Sequence, residues 1–183
     1  MAKNPLIRWS ASMSARPVLA LLVAAGLLAG CAANPSKLAP GSSAESVRGT
    51  LGVPTGEYPL PEGGRRLEYA RGPLGKQTWM LDFDARGGLV TANQVLTERR
   101  FNQIRAGMTS EELKRELGRP SAISMVGWHQ KQIVWSYRYE TLFCQWFQIG
   151  IDPAKGTVVD TAYLPDPICD DPQFTTSHLF RHR

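Results

Sequence analysis

The sequence predicts an α+β fold of two tandem repeats, each made of short helices followed by a three-stranded antiparallel meander. Two observations predict it. A short helical motif occurs twice, 66 positions apart, and a pattern of alternating apolar residues follows each copy at a shift of 68 positions. Because a repeat of this length fixes the fold class, the elements of each copy are taken in order below.

The second copy of the helical motif, residues 107–120, carries the signals of one complete short helix. Thr109 and Glu112 have the spacing of a capping box at its start. Two leucines four residues apart share one helical face, and Gly118, followed by a proline two residues later, can end the helix. A helix of two turns is not stable alone, so it must dock on a sheet or on another helix.

The first copy of the motif, residues 41–54, aligns with the second without a gap. The aligned pairs are Gly41 with Gly107, Ser43 with Thr109, Glu45 with Glu111, Val47 with Leu113, Arg48 with Lys114, Leu51 with Leu117, Gly52 with Gly118 and Pro54 with Pro120. Five of these eight pairs are identical. The sequence therefore predicts the same helical entry, over 43–51, in the first repeat.

Three strands are predicted after each helical motif. In the first repeat they lie at 65–71, 77–83 and 89–93, after a proline- and glycine-rich loop at 57–64. The second repeat begins with an extra helix at 98–104, and its predicted strands lie at 132–140, 143–151 and 157–164. The alternation along these strands places Arg138, Trp146 and Gln148 on the face away from the helices.

The first thirty residues predict a secretory signal. Lys3, Arg8 and Arg16 form a basic leader without acidic residues, and an apolar run at 18–29 is too short for a membrane-spanning helix, which needs roughly twenty residues. The run ends in Leu28-Ala29-Gly30-Cys31, which resembles a bacterial lipobox. That resemblance implies lipidation of Cys31. An ordinary signal peptide with a chance cysteine is the alternative.

The predicted organisation is therefore a lipoprotein signal peptide at 1–30, a lipidated tether at 31–37, repeat one at 38–93, repeat two at 94–164 and a C-terminal tail at 165–183. Ala32 follows Cys31 where an Asp would imply retention in the inner membrane, so the outer membrane is expected. Removal of the leader lowers the formal net charge from +5 to +2, because three positive and no negative charges are lost. The mature chain therefore has no charge excess that would indicate nucleic-acid binding.

Catalytic and metal-binding patterns are missing from the sequence. The histidines are His129, His178 and His182, and the last two have helical spacing but no acidic partner close by. No serine stands in a strand-to-helix elbow, and no glycine-rich loop follows a strand. The sequence therefore predicts no enzyme, no metal, no cofactor other than the covalent lipid on Cys31, and no small-molecule substrate.

Two cysteines remain once Cys31 is acylated. Cys144 begins a predicted strand and Cys169 follows the last one, so a disulfide between them is expected in an oxidising compartment. Two buried free thiols are the alternative.

A partner-binding face is predicted around Trp128, Arg138 and Trp146. Aromatic side chains outside the core beside an arginine are the usual composition of a binding hot spot. The alternative is that the C-terminal tail covers Trp146.

A family resemblance rests on three segments of repeat two. Val95-Leu96-Thr97-Glu98, Ile104-Arg105-Ala106-Gly107-Met108-Thr109 and Leu117-Gly118-Arg119-Pro120 resemble the signature of the BamE/SmpA (OmlA) lipoproteins. The resemblance covers about 95–164 well and 38–93 more weakly, where the first helix is missing. It implies a small module tethered in the outer membrane, facing the periplasm, with the barrel-insertion machinery as a candidate partner.

The chain differs from that family by having two modules instead of one. Tandem modules are similar to the beta-lactamase inhibitor proteins, which act through a broad sheet.

Three functions therefore compete. The leading one is a non-catalytic outer-membrane lipoprotein that acts as a periplasmic protein-binding scaffold or accessory factor in envelope assembly. The alternative is an inhibitor-like module that grips an exported protein through a sheet built from both repeats. An envelope enzyme is the third and least supported.

Overall fold

The computed structural model describes residues 33–127, 131–143 and 145–169. The chain divides into two compact units, Met1–Ala33 and Asn34–Arg183, and the fold below is that of the second. Cys31, Trp128, Cys144 and the histidines lie outside the described residues, as does the side chain of Cys169. Within the described part of the chain, no helix is both long and apolar enough to cross a membrane.

The strands form two four-stranded antiparallel sheets in sequence order. The first half of the chain contains a 3-10 helix Pro35–Lys37, α1 (Ala44–Leu51), β1 (Gly56–Pro59), a 3-10 helix Pro61–Gly63, β2 (Arg65–Ala70), β3 (Thr78–Phe83) and β4 (Leu89–Gln94). The second half contains α2 (Glu98–Phe101), α3 (Ser110–Leu117), β5 (Ala122–Val126), β6 (Gln132–Arg138), β7 (Gln145–Ile151), β8 (Val158–Pro165) and a 3-10 helix Pro167–Cys169. Sheet 1 is β1–β4 and sheet 2 is β5–β8.

The predicted fold class, helices followed by three-stranded meanders, is wrong. Each sheet has a fourth strand, β1 or β5, which pairs antiparallel with the strand that follows it. The segment of β1 was predicted as a loop because it contains Pro59 and lies next to Pro61. A proline is tolerated on an edge strand, where its missing N–H faces away from the ladder, so the loop signal and the strand coexist. Helix α2 is also shorter than the predicted 98–104.

The backbone hydrogen bonds at the helical entries recur between the two halves. The matching bonds are Leu38 N to Pro35 O with Ile104 N to Phe101 O, and Gly41 N to Leu89 O with Gly107 N to Val158 O. The 3-10 helix Pro35–Lys37 is therefore the counterpart of the end of α2, where the sequence indicated a missing helix. The predicted capping box of α3 is confirmed, since Thr109 and Glu112 bond each other's backbone N–H.

The layers follow the order α1, sheet 1, α3, sheet 2. Val47 of α1 packs with Leu67 and Leu81 on one face of sheet 1. Met80 points from the other face of sheet 1 into the core of the second half, where it packs with Leu113 of α3. The described strands form two separate sheets, so no sheet continuous across both repeats is present among them.

Candidate protein-binding surface

Sheet 1 uses its second face to hold α3 of the other repeat. The Arg66 guanidinium donates to the backbone carbonyl of Arg115 in the last turn of α3, at 2.7 Å. Asp82, opposite Arg66 in the ladder, accepts two further hydrogen bonds from the same guanidinium at 2.6 and 2.8 Å. An arginine fixed in this way satisfies a carbonyl that the helix end leaves free. The end of α3 is thus tied to the sheet.

A fully buried carboxylate, Glu68, lies beside this contact. It is 0% exposed and accepts hydrogen bonds from the Thr55 hydroxyl at 2.8 Å, the Tyr58 hydroxyl at 2.6 Å and the backbone N–H of Arg119 at 3.2 Å. Burial, followed by the hydrogen bond to Glu68, raises the pKa of Tyr58. The Tyr58 hydroxyl donates to Glu68, and Glu68 accepts the Arg119 N–H, so the cluster anchors the segment after α3.

The equivalent face of sheet 2 carries different residues. At a shift of 68 positions, Val134 stands for Arg66, Ser136 for Glu68, Gln148 for Met80 and Gly150 for Asp82. We call this surface, together with Ser124, Val126, Trp146, Ala162 and Leu164, the open face. Ser124, Val126, Ala162 and Leu164 are exposed. The polar residues that hold α3 on sheet 1, namely Arg66, Glu68 and Asp82, therefore have no charged counterparts at the equivalent positions of sheet 2.

The polar side chains of the open face are paired with one another. Gln148 donates to the Ser136 hydroxyl at 2.9 Å, and Gln132 donates to Asp160 at 3.0 Å. The second bond passes directly over Gly150, where a Cβ would lie 1.8 Å from the Gln132 amide nitrogen. The open face thus combines small and apolar residues with two hydrogen-bonded polar pairs, one of which covers Gly150.

The structure brings together two of the three predicted partner-binding residues. Arg138 and Trp146 are directly opposite in the β6–β7 ladder, with the guanidinium carbon 4.9 Å from the ring centroid. Arg138 also forms a bidentate ion pair with Asp166 at 2.5 and 3.0 Å and donates to the carbonyl of Pro73 at 2.6 Å. The two charged side chains are only 13% and 6% exposed. The guanidinium therefore links sheet 2 to repeat one, and Trp146 remains on the open face.

The sequence analysis gave no structural role to two of these polar residues, Asp166 and Glu68. Asp166 was assigned to a loose tail, although an Asp before a proline favours a turn, and its carboxylate accepts the N–H of Ile168 at 3.1 Å. Glu68 lies in a strand that was predicted, and no local signal distinguishes it from a solvated glutamate.

The outer strand of sheet 2 is less protected than that of sheet 1. β1 carries Glu57 and Pro59, two residues that discourage pairing with another chain. β5 has neither charge nor proline, and Ile123 and Met125 are both exposed on it. Sheet 2 is therefore the half of the molecule that offers contact surface at both a face and an edge.

No group of three metal-ligating side chains occurs among the residues that the structure describes. A cleft of about 390 Å³ lies between the repeats and is lined by Tyr58, Leu60, Arg66, Met108 and Glu116, among others. Its Arg66 and Glu116 are already paired with Asp82 and Arg100. Neither of these two charged side chains is therefore free to orient a small ligand.

Comparisons with known proteins add little. No protein-family model and no curated protein matches the sequence. Solved structures with some likeness include a cysteine-rich secretory protein from Staphylococcus aureus and an extracellular protein with an SCP domain from Bacillus anthracis, each 12% identical with a TM-score of 0.27. The alignments cover 78% and 94% of this chain, which spans about half of the other chains, 50% and 52%. TM-scores this low support no argument about fold or function.

Proposed function

We propose that the chain is an exported, non-catalytic lipoprotein, anchored through Cys31 on the periplasmic face of the outer membrane, and that it binds a helix of a partner protein in envelope assembly. The basic leader, the lipobox-like Leu28-Ala29-Gly30-Cys31 and the Ala32 that follows support export and anchoring. The resemblance of residues 95–164 to BamE/SmpA lipoproteins supports the scaffold role, with the barrel-insertion machinery as a candidate partner.

The proposed binding role rests on one observation. The two sheets have equivalent faces, but only the face of sheet 1 is in contact with a helix among the described residues. On sheet 1 the face receives α3 through Arg66 and Glu68. On sheet 2 the same positions hold Val134 and Ser136, and several residues of the open face are exposed. A sheet of this geometry therefore accepts a helix within the molecule itself, and no α-helix among the residues that the structure describes occupies the corresponding place on sheet 2.

The residues of the open face define the chemistry of the partner. Ser124 and Ala162 are small and exposed, so a helix can approach the sheet at these positions, while Val134 and Leu164 offer apolar contacts. Neither a carboxylate nor a free guanidinium stands at the positions that receive the end of α3 on sheet 1. The expected partner segment is thus an amphipathic helix that docks by its apolar side.

Partner capture after crosslinking in intact cells tests this role. Ala162→Arg places a long charged side chain on the open face, and because Ala162 is exposed the melting temperature should change little. Ala85→Arg, in the exposed turn between β3 and β4, is the matched control. We expect the first variant to lose the partners that the parent and the control retain. Identical partners for all three chains would contradict the assigned surface.

The anchor is tested separately by fractionation and intact mass. Cys31→Ser should release the chain from the membrane fraction, and the parent should carry the added mass of a diacylglycerol on Cys31. A soluble Cys31→Ser chain with full activity in cells would show that anchoring is not part of the function. The expected disulfide between Cys144 and Cys169 remains a prediction, which titration of free thiols in the unfolded, unreduced chain decides.

A further inference from the structure

Two hairpin turns of the molecule expose large apolar side chains. The turn between β2 and β3 presents Leu74, which is 62% exposed, and the turn between β6 and β7 presents Leu142 and Phe143, which are 95% and 78% exposed. Leaving side chains of this size in water is unfavourable, so they indicate a surface that meets an apolar environment.

The two turns lie at the same end of the molecule. Arg138, the last residue of β6, donates to the carbonyl of Pro73 in the β2–β3 turn at 2.6 Å. This contact brings the ends of the two hairpins together. We call this region, with Leu74, Leu142 and Phe143 at its tips, the hairpin end.

The turns at the opposite end differ in composition. Residues 84–88 read Asp-Ala-Arg-Gly-Gly and residues 152–156 read Asp-Pro-Ala-Lys-Gly. Each aspartate bonds backbone N–H groups of its own turn, at 2.8 to 3.1 Å. The β3–β4 and β7–β8 turns are therefore polar, whereas the β2–β3 and β6–β7 turns at the other end carry Leu74, Leu142 and Phe143.

Exposed charges of both signs lie beside the tips, with two cations at the β2–β3 turn. Arg71 and Lys76 flank the β2–β3 turn and are exposed, whereas Glu140 is the exposed acidic residue between β6 and the second tip. Cations placed around apolar tips match the anionic surface of a phospholipid bilayer, where each contributes to attraction within a Debye length.

The chain also enters the fold at the hairpin end. Pro35 is the counterpart of Phe101, as the matching hydrogen bonds show. The Phe101 ring lies 5.0 Å from that of Tyr139, the residue after β6, and 4.3 Å from that of Phe147 near the start of β7. The buried Pro35 therefore places the entry of the chain beside the β2–β3 hairpin. Only Ala32 and Ala33 lie between Cys31 and Asn34, so the three Cα–Cα steps that join them span at most about 10 Å.

We propose that the hairpin end is a membrane-contacting surface, in which Leu74, Leu142 and Phe143 enter the boundary between headgroups and acyl chains of a phospholipid bilayer. The orientation that follows rests on the proposed anchoring through Cys31. With a lipid anchor and apolar tips at one end, the strands stand roughly upright on the membrane. The open face of sheet 2 then looks sideways along the bilayer, towards proteins embedded in it.

Photocrosslinking in the full chain tests the surface in its anchored form. Benzoylphenylalanine replaces Phe143 in one chain and Val90 in the control. Val90 is 58% exposed and follows the turn at the opposite end. After irradiation of the isolated membranes, we expect about tenfold more phospholipid adduct at position 143 than at position 90, because only the first enters the bilayer. Equal yields would overturn the proposal. So would adducts at position 143 that go mainly to residues 170–183 or to a second copy.

Vesicle binding tests the same surface without the anchor. The mature chain with Cys31→Ser is sedimented with vesicles of phosphatidylglycerol and phosphatidylcholine. Leu142→Ser combined with Phe143→Ser should weaken partitioning about tenfold or more, since two apolar side chains no longer leave water, and Val90→Ser should not. Arg71→Gln combined with Lys76→Gln should remove the dependence on salt. Undiminished binding of the first double variant would overturn the proposal.

The two failures can be told apart. If intact mass shows no lipid on Cys31, the proposed anchoring is wrong, yet the vesicle experiment still decides whether the hairpin end meets a bilayer. If Cys31 is lipidated but neither experiment distinguishes the hairpin end from Val90, the anchoring stands and this surface is rejected.

Discussion

Two equivalent glycines allow the packing between the repeats to be measured by a single matched comparison. Gly52 ends α1 with φ 85 and ψ −161, and Gly118 ends α3 with φ 77 and ψ −161. At Gly52 a Cβ would meet nothing within 4 Å, whereas at Gly118 it would lie 2.9 Å from Glu68 Cδ and 2.9 Å from Thr78 Cγ2. The same substitution thus imposes similar backbone strain at both sites and a clash at only one.

The expected losses follow from these distances. Alanine in this backbone region costs about 1–3 kcal/mol, so Gly52→Ala should lower the free energy of unfolding by about that amount. Gly118→Ala adds overpacking against Glu68, which its three hydrogen bonds hold in place, for a further cost of about 1–3 kcal/mol.

Urea unfolding of the two variants, followed by far-ultraviolet circular dichroism, gives both values from the shift in midpoint at unchanged slope. Adding Thr78→Ser, which removes one of the clashing atoms, should restore part of the loss in the Gly118 variant and none in the Gly52 variant. If Gly52→Ala and Gly118→Ala lowered the free energy of unfolding equally, to within about 0.5 kcal/mol, then sheet 1 and the end of α3 would not be tightly packed.

Three further predictions concern the polar groups. Glu68→Ala should lower the free energy of unfolding, measured in urea, by about 3 kcal/mol, because the Arg119 N–H loses its acceptor inside the protein. Glu68→Gln should lower it by less, and equal losses for the two variants would contradict the assigned bonds. Arg138→Ala should cost about 3–5 kcal/mol by leaving the Asp166 carboxylate buried and unpaired, and a smaller loss in Arg138→Met with Asp166→Asn would confirm that cause. Bonds from backbone N–H groups lower the pKa of Asp84 below its ordinary value of 3.8 and lower that of Asp152 likewise. Their stabilisation is therefore complete above that value and is lost as pH falls through the lowered pKa, so melting temperature should fall in acid and Asp84→Asn should flatten the profile.

Local signals in the sequence located the elements that local interactions form. Helix α3 begins after Thr109 and ends before Gly118, as the sequence predicted, because its capping box, its apolar stripe and its terminal glycine all lie within the motif itself. The strands β2, β3 and β7 begin or end within two residues of their predicted positions, since alternating apolar residues mark them independently of their neighbours.

Nonlocal interactions account for what the sequence did not predict. β1 and β5 become strands only because β2 and β6 provide a ladder beside them, which is why the three-stranded prediction was wrong. Glu68 and Asp166 are far in sequence from the groups they bind, Arg119 and Arg138, so neither pairing could be read from a segment of the chain. Arg138 was placed on the correct strand and face, but its ion pair could not be predicted.

The contact between the two repeats has a consequence for how copies of the chain associate. It joins unlike surfaces, a sheet face on one side and a helix on the other, and contacts of this kind do not close upon themselves. A chain that carried Arg66 and Glu68 equivalents on both sheets could receive α1 of the next copy, and so on, as an unlimited fibre. Val134 and Ser136 stand at those positions instead, so the polar contact that joins the first unit to the second has no second site on sheet 2.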